Sequence, residues 1–338
     1  MSEAARDDTY RGDGNDASMA PQSAPDPVTG DVKDTVQTAT ATLDFNVEEL
    51  NTVVLHGPPE LCDRDLMSPY VWKDANGRYG IMIRAVPSVD MTHTDTGHIW
   101  AGWSDDGVTF TMLDKPSLVG GPDENDRGGV EDPTVVQMED GSYVVYYTGV
   151  ASDMTHGEMF YAVGPSLDAL VKTGVALAST KSMGNTKEAT VGRTSDGGWR
   201  LFYEYAADDA SRVGLAIGPG IAGPWQEQAT PFMPREDGWD NWHLSTGPML
   251  HDDPERPVMF YNGATRDARW RIGWVAFAPD CMSVVDRCIQ PLLTPPPLAD
   301  RTDTDIAFAS SVVVEDGVIW LYYSLADRKL ARARLRRT

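Results

Sequence analysis

The sequence predicts an all-β chain built from a fivefold repeat, on three observations. Ten Trp, twelve Tyr and eight Phe stand among 31 Gly and 23 Pro in 338 residues, a mixture suited to many short strands joined by tight turns. Helical periodicity is weak throughout, whereas short aromatic or β-branched runs recur. The third observation is a hairpin motif with constant internal spacing. Ser68, Asn76 and Arg84 lie eight residues apart, as do Asp132, Asp140 and Thr148, Glu188, Asp196 and Glu204, and Phe308, Asp316 and Ser324. Five such units read as the blades of a five-bladed β-propeller, an architecture that leaves only short strand edges exposed.

Each unit has a mechanism behind it. The first runs Ser68 to Trp72, turns at Asn76-Gly77 and continues Tyr79 to Ile83 before Arg84. The second begins at Asp132-Pro133, turns at Asp140-Gly141 and ends Val145-Tyr146-Tyr147-Thr148. The third begins at Glu188, turns at Asp196-Gly197 and ends Leu201-Phe202-Tyr203-Glu204. The fifth begins at Phe308, turns at Asp316-Gly317 and ends Leu321-Tyr322-Tyr323-Ser324. Asn-Gly and Asp-Gly supply the positive φ of tight hairpins. The fourth unit is looser, from Thr246 through Asp252-Asp253-Pro254 to Asn262. A third strand follows most copies, as in His98–Trp103, Met159–Val163, Val213–Ile217 and Arg271–Ala276, with Leu330–Ala333 a short closing version. Unit starts are 56 to 64 residues apart. Residues 1–43, rich in small polar residues, are expected to be a disordered acidic tail, with the propeller over 44–338.

The formal net charge is −23, of which the tail holds −5. A surface this negative repels phosphate backbones and anionic lipid, so neither nucleic acid nor membrane is an expected partner. No apolar run approaches the roughly 20 residues of a bilayer span, and the N-terminus has no signal-like stretch, which reads as a cytoplasmic chain. Cys62, Cys281 and Cys288 are expected as reduced, buried thiols. No His pair has zinc-ligand spacing and no EF-hand loop occurs, so no metal is expected. The composition says nothing of oligomeric state.

A propeller gathers equivalent positions around one axis. Arg84, Thr148, Glu204, Asn262 and Ser324, each ending a second strand, therefore become candidates to line a single funnel with Asp132 and Glu188. The plain alternative is solvated strand ends. Glycosidic cleavage needs a protonated carboxyl at the leaving oxygen and a partner acting on the nucleophile. Asp132 adjoins Glu131, and neighbouring carboxylates resist double ionisation, which raises one pKa as an acid catalyst requires. The structural alternative is an Asp capping a turn before Pro133. Ser104-Asp105-Asp106-Gly107 reads as a structural turn and Asp63 and Asp65 as surface loop; Trp225, Trp239, Trp242 and Trp270 are divided between sugar stacking and core packing.

Gly129-Val130-Glu131-Asp132-Pro133-Thr134 resembles the Gly-Val-Glu-Asp-Pro-Arg signature of glycoside hydrolase family 130, the β-mannoside phosphorylases and β-mannosidases. Ser68-Pro69 with Arg84, Lys187-Glu188-Ala189, His243 to Pro248, Tyr261-Asn262-Gly263 with Arg271-Ile272-Gly273, and Tyr322 to Asp327 are similar to further family segments, in order, over about residues 50–335. The resemblance implies a five-bladed propeller acting on β-mannosides. It implies Asp132 as the general acid, passing its proton through a hydroxyl of the mannosyl unit, and Ser68, Arg84, Glu131 and Asp327 at the sugar.

The departures concern phosphate. Where the family has cations, this chain has Glu204 for an Arg, His243 for a Lys, Asn262 for a His and Thr134 for the signature Arg; Lys187 is retained. At about 4 Å and an effective dielectric near 20, exchanging a cation for an anion turns roughly 4 kcal/mol of attraction into repulsion. The expectation is an inverting hydrolase without a cofactor, with Glu204, or else Glu188, as base on water. A phosphorylase using inorganic phosphate as co-substrate, a furanosidase-like enzyme and a non-catalytic sugar-binding propeller stand as alternatives. In each the partner is an oligosaccharide.

Overall fold

The computed structural model describes residues 43–88, 95–194, 197–297 and 305–338. The expected tail, His93 and the turn residue Asp196 lie outside them, except that Leu43 is buried against the core with Phe45. The described chain is almost wholly β, with one four-residue helix, Pro59–Cys62. Among the described residues no helix is long and apolar enough to cross a membrane.

Successive hairpins build antiparallel sheets in chain order. The first contains Arg64–Lys73, Tyr79–Pro87, His98–Ser104 and Thr109–Met112, extended by a parallel pairing with Val54–His56. The second runs Gly129–Gln137, Tyr143–Val150, Gly157–Gly164, Val171–Leu177, and the third Gly184–Arg193, Trp199–Ala207, Ala210–Gly218, Gln226–Glu227. The last joins Ala307–Glu315, Val318–Leu325 and Lys329–Arg337 to Phe45–Thr52 from the other end of the described chain.

The loosely matching fourth unit is a broken one. Its strand runs are divided between a three-stranded sheet, His243–Ser245, Asn262–Ala264 and Arg271–Ile272, and a four-stranded one, Met249–Leu250, Val258–Met259, Val275–Phe277 and Val284–Arg287. The break falls at Gly247-Pro248. A Cβ at Gly247 would stand 1.8 Å from the Phe260 carbonyl oxygen, a close approach only glycine permits. Gly273 and Trp274 interrupt the expected Arg271–Ala276 strand in the same way.

Alternation along the strands explains their apolar runs. Val145 and Tyr147 pack with Met82, Ile99 and Ala101 of the first sheet, whereas Val144 and Tyr146 pack with Leu201 and Tyr203 of the third. Leu321 and Tyr323 face the fourth unit, while Tyr322 turns to Ile81, Ile83 and Trp100. These inner strands are thus buried on both faces, so a period of two carries no polar alternation along them. The last sheet packs back against the first. Cys281 and Cys288 are buried; Cys62, contrary to expectation, is exposed.

Side chains on the first strands also clasp the next sheet's backbone. Thr134 Oγ1 donates to Ala189 O (2.5 Å), Thr190 Oγ1 to Gly247 O (3.0 Å), and Ser311 Oγ to Pro69 O (2.8 Å) while accepting from Val71 N. Asn262 links the fourth and last sheets: its Nδ2 donates to Thr246 O (2.6 Å) and Ala309 O (3.1 Å), and its Oδ1 accepts from Ala309 N (2.7 Å). The repeat makes Asn262 a candidate to line the funnel. It is instead fully buried, with its amide spent on backbone. Asn262→Ala should lower stability by about 2–4 kcal/mol, since it strands buried backbone groups, and a urea unfolding curve with an unshifted midpoint would contradict this.

Candidate active site

The repeat places three residues identically. Met67 pairs with Arg84, Glu131 with Thr148 and Lys187 with Glu204, and in each case an extra residue follows before pairing resumes at Tyr70, Thr134 and Thr190. That bulge carries Ser68, Asp132 and Glu188, at φ 51, 50 and 52. Non-glycine residues at such φ are uncommon, and bulges next to functional sites re-aim side chains. The strands begin several residues before these positions, so the predicted unit starts are bulges rather than strand ends. Arg84, Thr148, Glu204 and Ser324 likewise lie within strands, not at their ends, whereas Asn262 opens its strand.

Ser68, Asp132, Glu188, Thr246 and Ser310 converge on one cavity of about 260 Å³, solvent included. Ser68 Oγ donates to Asp132 Oδ1 at 2.6 Å. Arg84 approaches that oxygen at 3.8 Å and pairs with Glu131 at 2.5 Å, its guanidinium steadied by two bonds to Thr96 O. Burial works against the Arg84 charge, but Glu131, Asp132, Asp327 and Glu188 outweigh it, and its pKa moves up. Burial raises Glu131, with Arg84 opposing and Asp132 adding. Asp327, at φ 51 in a turn, is raised by burial, with Arg84 opposing and Asp132 adding. Glu188 is pushed well above the usual carboxyl range, first by burial and then by Asp132 and Glu204.

Glu204 forms the second focus. Lys187 Nζ lies 3.4 Å from Glu204 Oε1 and Ser211 Oγ donates to the same oxygen at 2.8 Å. Glu204 foremost holds the Lys187 pKa well up against burial. His243 Nδ1 accepts from Ser211 N at 3.1 Å, so the neutral ring carries its proton on Nε2. Burial lowers the His243 pKa, and Arg212 and Lys187 add to this against Glu204. The ring stands 5.6 Å from Trp270 and 6.5 Å from Trp242. Trp225 and Trp239 are packing residues, bonded to Tyr146 and stacked on Tyr261 respectively.

Of the expected site residues, Asp132, Glu188, Ser68, Arg84, Glu131, Lys187, Glu204 and Asp327 thus form one electrostatically linked group, with His243 at its Glu204 side. Asn262 belongs to the framework, and Thr134, 5% exposed, spends its hydroxyl on Ala189. Ser211, which bridges Glu204 and His243, carries no motif of its own in the sequence. Its register opposite Ala206 in the third hairpin is the signal that finds it.

No family model matches the chain. A 1,2-β-oligomannan phosphorylase of Thermoanaerobacter sp. (strain X514) is 23% identical over 228 residues, covering 66% of this chain and 73% of that protein. The β-1,2-mannobiose phosphorylase of Listeria innocua, solved with β-1,2-mannobiose, superposes with a TM-score of 0.66 at 17% identity, over 85% of this chain and 90% of that one. A second structure, at TM-score 0.66 and 19% identity over 80% of this chain and 84% of that one, comes from glycoside hydrolase family 130, described as mannoside phosphorylases containing glycoside hydrolases that target β-1,2-mannosidic linkages in Candida mannan.

Proposed function

From its resemblance to glycoside hydrolase family 130, which holds in both sequence and fold, we propose that this chain is a five-bladed β-propeller enzyme cleaving β-mannosidic bonds, by hydrolysis with inversion. The blade count takes the two sheets of the broken fourth unit as one. It is supported by the cavity to which all five units contribute and by the clasps from the second sheet to the third, the third to the fourth unit, the fourth unit to the last sheet, and the last sheet to the first.

Asp132 is the general acid, its proton reaching the glycosidic oxygen through a mannosyl hydroxyl. Arg84, Glu131, Ser68 and Asp327 hold the sugar and orient the acid. Glu204 takes a proton from water on the opposite face. Hydrolysis makes water the second substrate and calls for no cofactor. The observation that carries this reading is the Lys187–Glu204 ion pair at 3.4 Å. The cation retained at the phosphate positions is already neutralised, beside a neutral His243, and an incoming phosphate dianion meets a carboxylate.

The names of the relatives favour phosphorolysis as the second reading, with the linkage β-1,2. Incubation with β-1,2-mannobiose, with and without phosphate and followed by NMR, tests both. Release of α-mannose at the same rate in either buffer is expected. Turnover only with phosphate, yielding a mannose 1-phosphate, would replace hydrolysis by phosphorolysis. Arabinofuranoside cleavage, or binding without turnover, would overturn the mannosidase reading.

A further inference from the structure

Asp132 and Glu188 occupy the same bulge position on neighbouring first strands, at φ 50 and 52, and both face the cavity. Both carboxyl groups line that one cavity, and after burial Asp132 is the chief influence that keeps Glu188 protonated. Two carboxyl groups crowded into one cavity resist double ionisation and so hold a single proton between them. Asp132 is the acceptor of the pair: its Oδ1 takes the Ser68 hydroxyl at 2.6 Å and faces Arg84 at 3.8 Å. Glu188 supplies the proton.

Resting on the reading of Asp132 as acid, we propose that Glu188 is a proton store that charges Asp132 during turnover, and not the base. The Glu188 O–H bond breaks as an Asp132 O–H bond forms. Asp132 passes a proton to the mannosyl hydroxyl, which gives its own to the glycosidic oxygen as the C1–O bond breaks. A water oxygen bonds to C1 and its proton goes to Glu204. Asp132 and Glu188 are then both anions in one cavity, and the Glu204 proton returns to Glu188 through solvent, so that one water is consumed per bond cleaved. Arg84 and Lys187 face the pair as cations, and Glu131, Glu204 and Asp327 as carboxyls, so the pair titrates within a network.

The test uses the whole protein in two arms. In the first, ¹³C-carboxyl Glu NMR without substrate should find one Glu carboxyl protonated above the ordinary range, absent in Glu188→Gln and moved down in Asp132→Asn. In the second, Glu188→Gln should lower kcat on mannobiose by about 100-fold. That loss should exceed by at least about 30-fold the loss on a dinitrophenyl mannoside, whose leaving group needs little protonation. The basic limb of the pH–rate profile should move to lower pH, because Asp132 loses the neighbour that stores its proton. No persistent Glu proton, or equal losses on both substrates with an unmoved limb in a variant that melts like the parent, overturns the proposal. If the parent cleaves no mannoside, the NMR arm still decides the pair and only the functional reading falls.

Discussion

Asp132→Asn is expected to lower turnover of manno-oligosaccharides by about 10²–10⁴-fold, the usual contribution of a positioned general acid. The exchange is conservative in every other respect. Asn tolerates the φ of 50° at this bulge better than most residues, and its carbonyl oxygen can still accept the Ser68 hydroxyl. Thermal unfolding should therefore stay close to that of the parent, and the loss should appear in kcat rather than KM. An aryl mannoside with an acidic leaving group should be spared most of the loss. A variant that hydrolyses mannobiose at the parental rate removes Asp132 from the chemistry.

Glu204→Gln should produce a second loss of about 10²–10⁴-fold in hydrolysis, here irrespective of the leaving group, because a base serves the water and not the departing oxygen. Gln retains an acceptor for Ser211 but releases Lys187 from its ion pair at 3.4 Å. Two observations then separate a base from a merely structural carboxylate. The variant should be inhibited by phosphate more strongly than the parent, because an anion no longer opposes it. In Glu204→Ala, added azide should restore turnover and yield the α-mannosyl azide, with azide occupying the place of the water. Parental activity in Glu204→Gln ends the assignment.

Much of this was legible in the sequence because the repeat fixes register. Arg84, Thr148, Glu204, Asn262 and Ser324 share one spacing, and in the structure they pair with Met67, Glu131, Lys187, Ser245 and Phe308. Spacing does not tell which of five equivalent positions is spent on the framework. Asn262 looked like Arg84 or Glu204 in the repeat, yet its amide meets Thr246 O within its own unit and both backbone groups of Ala309 on the last sheet, the latter a contact between residues 47 apart. The bulges were invisible for a related reason. Ser68, Asp132 and Glu188 looked like strand beginnings because the turn to positive φ interrupts the apolar pattern. The fourth unit was loose in sequence because Gly247 brings two strands too close for any side chain.

The strand Lys329–Arg337 lies between Val318–Leu325 and Phe45–Thr52, and Asp44 and Thr338 exchange two backbone hydrogen bonds at its end. During synthesis, the early strand Phe45–Thr52 must therefore wait, unpaired, until nearly three hundred further residues have left the ribosome. Such long-range closure slows folding and leaves a sheet edge open to other chains in the meantime. Asp132 and Glu204 lie on separate sheets, so a nascent fragment holds both carboxylates well before the last sheet is complete.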